Sequence, residues 1–142
     1  MKVLIQRVRG ARVEVAGEIV GAIDQGLLAL VGIEPQDTPA SIAKGLQRVL
    51  SYRVFSDTEG KMNLSLKDVA GGLLLVSQFT IAGTLKKGRR PGFDPAAPPE
   101  EARALYEALA GAIRGHGVRV ETGRFAAHME VELVNDGPVT LL

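Results

Sequence analysis

The sequence predicts an α+β fold: one domain over residues 1–142, with a curled, barrel-like, mostly antiparallel sheet and two helices packed on it. Three observations carry that expectation. Leu27–Ile33 and Leu73–Val76 are apolar runs without a charge, the pattern of strands covered on both faces. Only two stretches, one after Thr38 and one after Pro98, repeat apolar residues at helical spacing. Most of the remainder is short strand-like runs divided by Gly, Pro, Asn and Asp.

In order, Val3, Leu4, Ile5 and Val8 predict a first strand over Met1–Val8. Arg12–Val15, the turn Ala16-Gly17-Glu18 and Ile19–Ile23 predict a hairpin. Leu27–Ile33 follows as a central strand. Asp37 or Thr38 caps a helix that starts at Pro39, with Ile42, Leu46, Val49 and Leu50 as its buried stripe. Arg53–Phe55 reads as extended, Asp57–Gly60 as a turn, and Met62, Leu64 and Leu66 as one face of a short strand. A strand over Leu73–Thr80 precedes a loop, Ile81–Phe93, that is rich in Gly and cations. Pro98-Pro99-Glu100-Glu101 opens the second helix, with acids suited to its N-terminal dipole. Leu105, Leu109, Ala112 and Ile113 form its core face, and Gly115-His116-Gly117 ends it. Val118–Thr122 and the alternation Met129, Val131, Leu133 predict two last strands, before a terminal segment that starts at Val134.

Composition excludes several classes of chemistry. The absence of cysteine removes disulfide scaffolds, thiolate metal sites and cysteine nucleophiles. Two histidines, His116 and His128, are too few for a histidine-based metal centre unless carboxylates complete it. No cofactor or metal is expected. Met1–Gly10 lacks a signal-peptide core and no apolar run reaches spanning length, so a cytoplasmic protein without a membrane partner is expected. A net charge of +1 means that any polyanion contact must come from a local patch.

Three polar clusters are candidates for function. Ser77, Gln78 and Thr80 surround Phe79 at the end of a core strand; they either cap the backbone or form a rigidly held site. Neither histidine has an evident partner, and no two acids are placed to share a proton. Hydroxyls at Ser77 and Thr80 therefore lack a general base, which would have to come from water or substrate. Asn135-Asp136-Gly137-Pro138 is either a plain turn or, with a cis Gly-Pro bond, a pair of carbonyls pointing the same way. Lys86, Lys87, Arg89 and Arg90 surround Gly88, either as a solvated loop or as a phosphate contact.

Ser77-Gln78-Phe79-Thr80 followed by Asn135-Asp136-Gly137-Pro138-Val139-Thr140 resembles the two signature motifs of the D-aminoacyl-tRNA deacylase family. The resemblance runs nearly end to end, through Ile5-Gln6-Arg7-Val8, Gly60–Ser65, Gly88-Arg89-Arg90-Pro91 and Thr122-Gly123-Arg124-Phe125. Two places depart from it. Ala126-Ala127-His128-Met129 stands where the family usually has Gly, Ala, Asp and Met, and Gly83-Thr84-Leu85 replaces its usual Ala, Asp and Thr. The resemblance implies hydrolysis of the ester of D-aminoacyl-tRNA, and of glycyl-tRNA, with L-aminoacyl-tRNA rejected. It implies a homodimer in which a cis Gly137-Pro138 segment enters the partner's site, where its carbonyls meet the substrate amine. The amides of Phe79 and Thr80 would form the oxyanion hole, and the 2′-OH of the terminal ribose would activate water. Arg7 would hold the Gly-Pro loop and Met129 would line the pocket. Two rival readings are a non-catalytic RNA-binding module using Lys86–Arg90 and a generic esterase with Thr80 as nucleophile.

Overall fold

The computed structural model describes residues 1–86 and 88–142. Its organising strand is β1, Lys2–Val15. One edge of β1 pairs first with β3 (Gly26–Gly32) and then with β2 (Glu18–Ile23), both antiparallel. The other edge pairs antiparallel with β8 (Glu130–Leu141). β6 (Gly72–Ser77) lies parallel to β3, and β7 (Val120–Thr122) lies parallel to β6. A side ribbon joins β4 (Phe55–Ser56) to β5 (Met62–Leu64). The far strand β7 returns against β2: Arg119 Nη2 donates to the Ala22 carbonyl at 3.3 Å, and any side chain at Gly21 would collide with the Thr122 carbonyl. The sheet is therefore curled nearly shut, as expected.

The uncharged runs form strands because both of their faces are covered. Leu27, Ala29, Val31, Leu73 and Leu75 face α1 (Pro39–Ser51) and α2 (Pro99–Arg114), whereas Leu28, Leu74 and Val76 fill the inside of the curl with Val8, Val13 and Ile23. Leu27, Leu73, Leu74 and Leu75 are fully buried, each stabilising by about 1.5–3 kcal/mol. Thr38 caps α1 in a reciprocal box with Ser41, and the predicted stripe of Ile42, Leu46, Val49 and Leu50 is the buried one.

Five elements differ from expectation. The first strand does not stop at Val8: β1 runs on to Val15, and the shift in β8 pairing between Val8 and Gly10 makes that stretch a bulge within one strand. β5 ends at Leu64, and Leu66 is buried from the following turn, whose Asp68 carboxylate accepts from the Ser65 amide at 2.8 Å. β6 ends at Ser77, and Phe79–Ala82 forms a 3-10 turn in place of further strand. The core stripe of α2 is Tyr106, Leu109, Ala110 and Ile113, turned from the predicted Leu105 and Ala112 because Tyr106 reaches the Leu75 carbonyl. β8 continues through Asn135–Thr140 to Leu141, since both ends of that segment pair with β1.

Candidate active site

The end of β6 is fixed by its neighbour β3. Ser77 pairs with Val31, and the Gln78 amide donates to the Val31 carbonyl at 2.7 Å. The chain then turns sharply, with the Ile81 amide on the Gln78 carbonyl at 3.2 Å and the Gly83 amide on the Thr80 carbonyl at 3.0 Å. The Gln78 side-chain amide donates to the Thr80 hydroxyl oxygen. The amides of Phe79 and Thr80 open the turn and find no acceptor among the described residues. Two neighbouring backbone donors are thus held on a buried strand end, the arrangement that stabilises a developing oxyanion.

Beside them lies a cavity of about 250 Å³ lined by Val31, Ser77, Phe79, Tyr106, Phe125 and Ala126. The Tyr106 hydroxyl donates to the Leu75 carbonyl at 2.7 Å. Burial pushes its phenol up to about 12, so it stays a neutral hydrogen-bond donor at physiological pH. The rings of Tyr106 and Phe125 lie 5.9 Å apart, and the Arg103 guanidinium sits 5.0 Å from the Phe125 centroid. Among the described residues, no imidazole or carboxylate is a hydrogen-bond partner of Ser77 or Thr80; His116 and His128 are exposed elsewhere. Among the described residues, no cluster of three or more His, Cys, Asp or Glu side chains is placed to hold a metal ion.

Gly137 and Pro138 project from β8. Gln6 pairs with Thr140 and Val8 with Asn135, so four residues of β8, Asp136–Val139, stand opposite Arg7 alone. Side chains brace this protrusion from within. Asn135 accepts from the Val139 amide at 2.8 Å and donates to the Thr140 hydroxyl at 3.0 Å. Arg7 Nε donates to the Asp136 carbonyl at 2.7 Å, and the Asp136 carboxylate lies 3.7 Å from Nε of both Arg7 and Arg9. Gly137 takes φ +154°, and a Cβ there would meet the Val139 amide at 2.7 Å, so only glycine fits. The Gly137-Pro138 bond is cis, and both residues are exposed.

Within one chain the two motifs do not meet. Arg7 lies in a row with Leu27 and Leu73, whereas Ser77 lies in a row with Val31 and Val3, four residues further along. Four residues along the strands and three strand spacings across them separate Ser77 from the protrusion by roughly 20 Å over the sheet. Arg7 stands with Gly137-Pro138. Met129 packs against Gly123 and the inner cluster around Val76, outside the lining of the cavity beside Ser77.

The ends of the basic segment are joined by paired hydrogen bonds of 2.8 Å between Thr84 and Gly92. Lys86, Arg89 and Arg90 are exposed on it, and Lys87 lies outside the described residues. Phe93, just past the segment, packs edge-on against Phe79 at 5.1 Å and so fixes the cations near the strand end. Ala126, which replaces the family's glycine, takes φ +63° and keeps the left-handed turn that glycine favours. Sequence reasoning singled out neither Tyr106 nor Phe93; the buried stripe of α2, turned by one residue, was the available signal for Tyr106.

Comparison with known proteins agrees with this geometry. Residues 4–142 match the family model described as D-Tyr-tRNA(Tyr) deacylase. The chain is 65% identical over 142 residues to the D-aminoacyl-tRNA deacylase of Ectopseudomonas mendocina strain ymp, covering all of this chain and 98% of the relative. It is 66% identical over 143 residues to the protein of that name from Pseudomonas fluorescens strain SBW25, with the same coverage. The solved structure of a protein named c-Myc DNA Unwinding Element Binding Protein superposes with a TM-score of 0.93 at 38% identity, covering 99% of this chain and 96% of that one. A probable eukaryotic D-amino acid tRNA deacylase shares the fold, with a TM-score of 0.85 at 18% identity and coverage of 98% and 96%. On its full-length identity to these relatives and its match to the family model, the chain belongs to the D-Tyr-tRNA(Tyr) deacylase family.

Proposed function

We propose that residues 1–142 act as one domain that hydrolyses the ester between a D-amino acid and the terminal adenosine of tRNA, a proofreading step in translation carried out in the cytoplasm. The observation that carries this reading is the pair of unpartnered amides at Phe79 and Thr80, beside an apolar cavity suited to a nucleobase. Full-length relatives named D-aminoacyl-tRNA deacylase support it. Water adds to the ester carbonyl, and the two amides stabilise the oxyanion. The acyl–oxygen bond then breaks, the ribose oxygen leaves with a proton, and the free D-amino acid departs. The chain places no base at Ser77 or Thr80, so the 2′-OH of the terminal ribose positions and activates the water.

Gly137 and Pro138 complete the site from a second copy of the chain. Their exposure, their bracing by Arg7 and Asn135, and the roughly 20 Å between them and Ser77 in one chain support a crossing into the partner's cavity. There the carbonyls of Gly137 and Pro138 accept from the substrate ammonium and occupy the volume an L side chain would need. Met129 packs on Gly123, two residues before Phe125 of the cavity wall, and so supports the pocket only indirectly. Exclusion of this kind does not require a D side chain, so glycyl-tRNA is also cleaved. The Lys86–Arg90 segment contacts tRNA phosphates.

The test is hydrolysis of matched D-, L- and glycyl-tRNA by the purified chain. Turnover of D and glycyl esters with the L ester spared is expected. Glycyl-tRNA as resistant as the L ester overturns exclusion. Binding of tRNA with no turnover of any ester favours the reading as a non-catalytic module. The exposed cations speak for that second reading, as does the DNA-binding name of the 38% identical protein.

A further inference from the structure

Tyr106 and Phe125 also line a second, open groove of about 310 Å³, together with Arg103, Glu107, Arg114, Thr122 and Arg124. We infer that this groove binds successive phosphodiesters of the single-stranded 3′ end of tRNA, continuing the path of the strand whose terminal nucleoside occupies the cavity. The inference rests on the proposed deacylase reading and extends it to a surface formed by α2 and the segment after β7.

Three observations carry it. Arg103, Arg114 and Arg124 are exposed, and among the described residues none lies within ion-pairing distance of a carboxylate. Arg7, Arg9, Arg12 and Arg119 are paired in this way, whereas Arg48, Arg53, Arg89 and Arg90, like the groove's three, have no such pair among the described residues; what sets the three apart is that they line one groove. Glu107 is the one acid of the groove, so its lining keeps an excess of positive charge. Arg114 also suits the dipole at the C-terminus of α2, whereas Arg103 lies in the first half of the helix, where the dipole does not favour a cation.

Second, Tyr106 and Phe125 line both the groove and the cavity beside Ser77, so the two spaces share a wall. A strand leaving the cavity passes over Phe125 directly onto the arginines. Third, Arg103 is held over the Phe125 ring at 5.0 Å, which pre-sets its guanidinium at that crossing. From Arg103 to Arg114 the helix rises about 16 Å, room for several successive phosphates. Planar guanidinium groups suit phosphate oxygens, and the aromatic wall suits an unpaired base.

The experiment compares two substrates carrying the same D-aminoacyl ester: D-aminoacyl-tRNA and D-aminoacyl-adenosine, which has no phosphodiester. The quantity read is the ratio of their kcat/KM values across a salt series, for the parent and for Arg103→Gln/Arg114→Gln/Arg124→Gln. The ratio should fall about tenfold or more at low salt. The slope of log kcat/KM for tRNA against log salt should flatten by about 2, as expected for three lost single-strand phosphate contacts. The matching triple Lys variant keeps the charge and should restore most of the slope. An unchanged ratio and slope, an equal fall on both substrates, or loss of self-association in the triple Gln variant overturns the inference. A parent that cleaves neither ester overturns the deacylase reading instead. In that case the salt slope of deacylated-tRNA binding still tests the groove, and an identical slope in the parent and the triple Gln variant removes it.

Discussion

Arg7 Nε donates to the backbone carbonyl of Asp136 at 2.7 Å, tying the middle of β1 to the protrusion of β8. Its Nη1 donates to the Val54 carbonyl at 2.7 Å, so one half-buried guanidinium joins three parts of the chain. Arg7→Met removes both donors and leaves two carbonyls unpaired, at about 1–3 kcal/mol each. Urea unfolding should show a total loss of about 2–6 kcal/mol, and D-ester hydrolysis should fall with it as the protrusion loosens. Arg7→Lys should recover only part, since an ammonium cannot fork to both acceptors. A midpoint that moves by less than about 0.5 kcal/mol would show that Arg7 is no anchor.

Thr80 is a test of mechanism. Its hydroxyl accepts from Gln78 and has no base beside it. Thr80→Ala should therefore retain activity within about tenfold, whereas loss of a true nucleophile typically removes about 10⁴ or more. A loss of that size in a folded variant would restore the hydroxyl mechanism.

Stability should decline on the alkaline side because of Met1. Its ammonium contacts Glu34 at 2.8 Å and Asp37 at 2.6 Å. Burial alone would lower its pKa, but hydrogen bonds and charge from Asp37 and Glu34 outweigh burial and raise it above 8.0. A raised folded pKa stabilises fully below the unfolded value, and that stability disappears as pH rises through the folded one. Asp37 moves the other way. Burial would raise it, yet bonds from the Met1 amine, the Glu34 amide and the Ser41 hydroxyl hold it below 3.8, and its contribution disappears only in acid. The parent should lose urea resistance between neutral pH and about pH 10, and Asp37→Asn should show a shallower loss. Equal alkaline slopes in the two proteins would remove Met1 as the cause.

The hairpin between β1 and β2 is open to improvement. Ala16 takes φ +50° and Gly17 φ +81°, a turn whose first position favours Asn. Ala16→Asn should raise stability by about 0.5–1 kcal/mol, a Tm gain of about 2–4 °C. A lower Tm would mean that this turn is not the strained element.

Elements with a strong local period were readable from sequence, and those decided by distant contacts were not. The stripe of α1 follows from the spacing of Ile42, Leu46, Val49 and Leu50, and the two-faced burial of β3 and β6 from their lack of polar positions. The end of β6 misleads because Phe79, Thr80 and Ile81 favour strands; the 3-10 turn is held by Phe79 against Phe93, a contact with no local signature. Turn formers at Asn135–Pro138 do form a turn, but inside a strand whose partner lies at the other end of the chain. The Ser77–Thr80 and Gly137-Pro138 motifs stand out through family resemblance. The cavity among Val31, Ser77, Tyr106 and Phe125 joins four separate segments, and no stretch of sequence displays it.

The four-against-one pairing at Arg7 makes the protrusion a separable insert. Gln6 and Val8 bond to Thr140 and Asn135 on either side of it, so β8 enters and leaves the sheet in the same ladder. Removing three of the four residues from Asp136 to Val139 would leave one residue opposite Arg7 and a ladder free to close. The sheet and the protruding segment are therefore modular: the segment can change in length or sequence while the ladder on either side of it keeps its register.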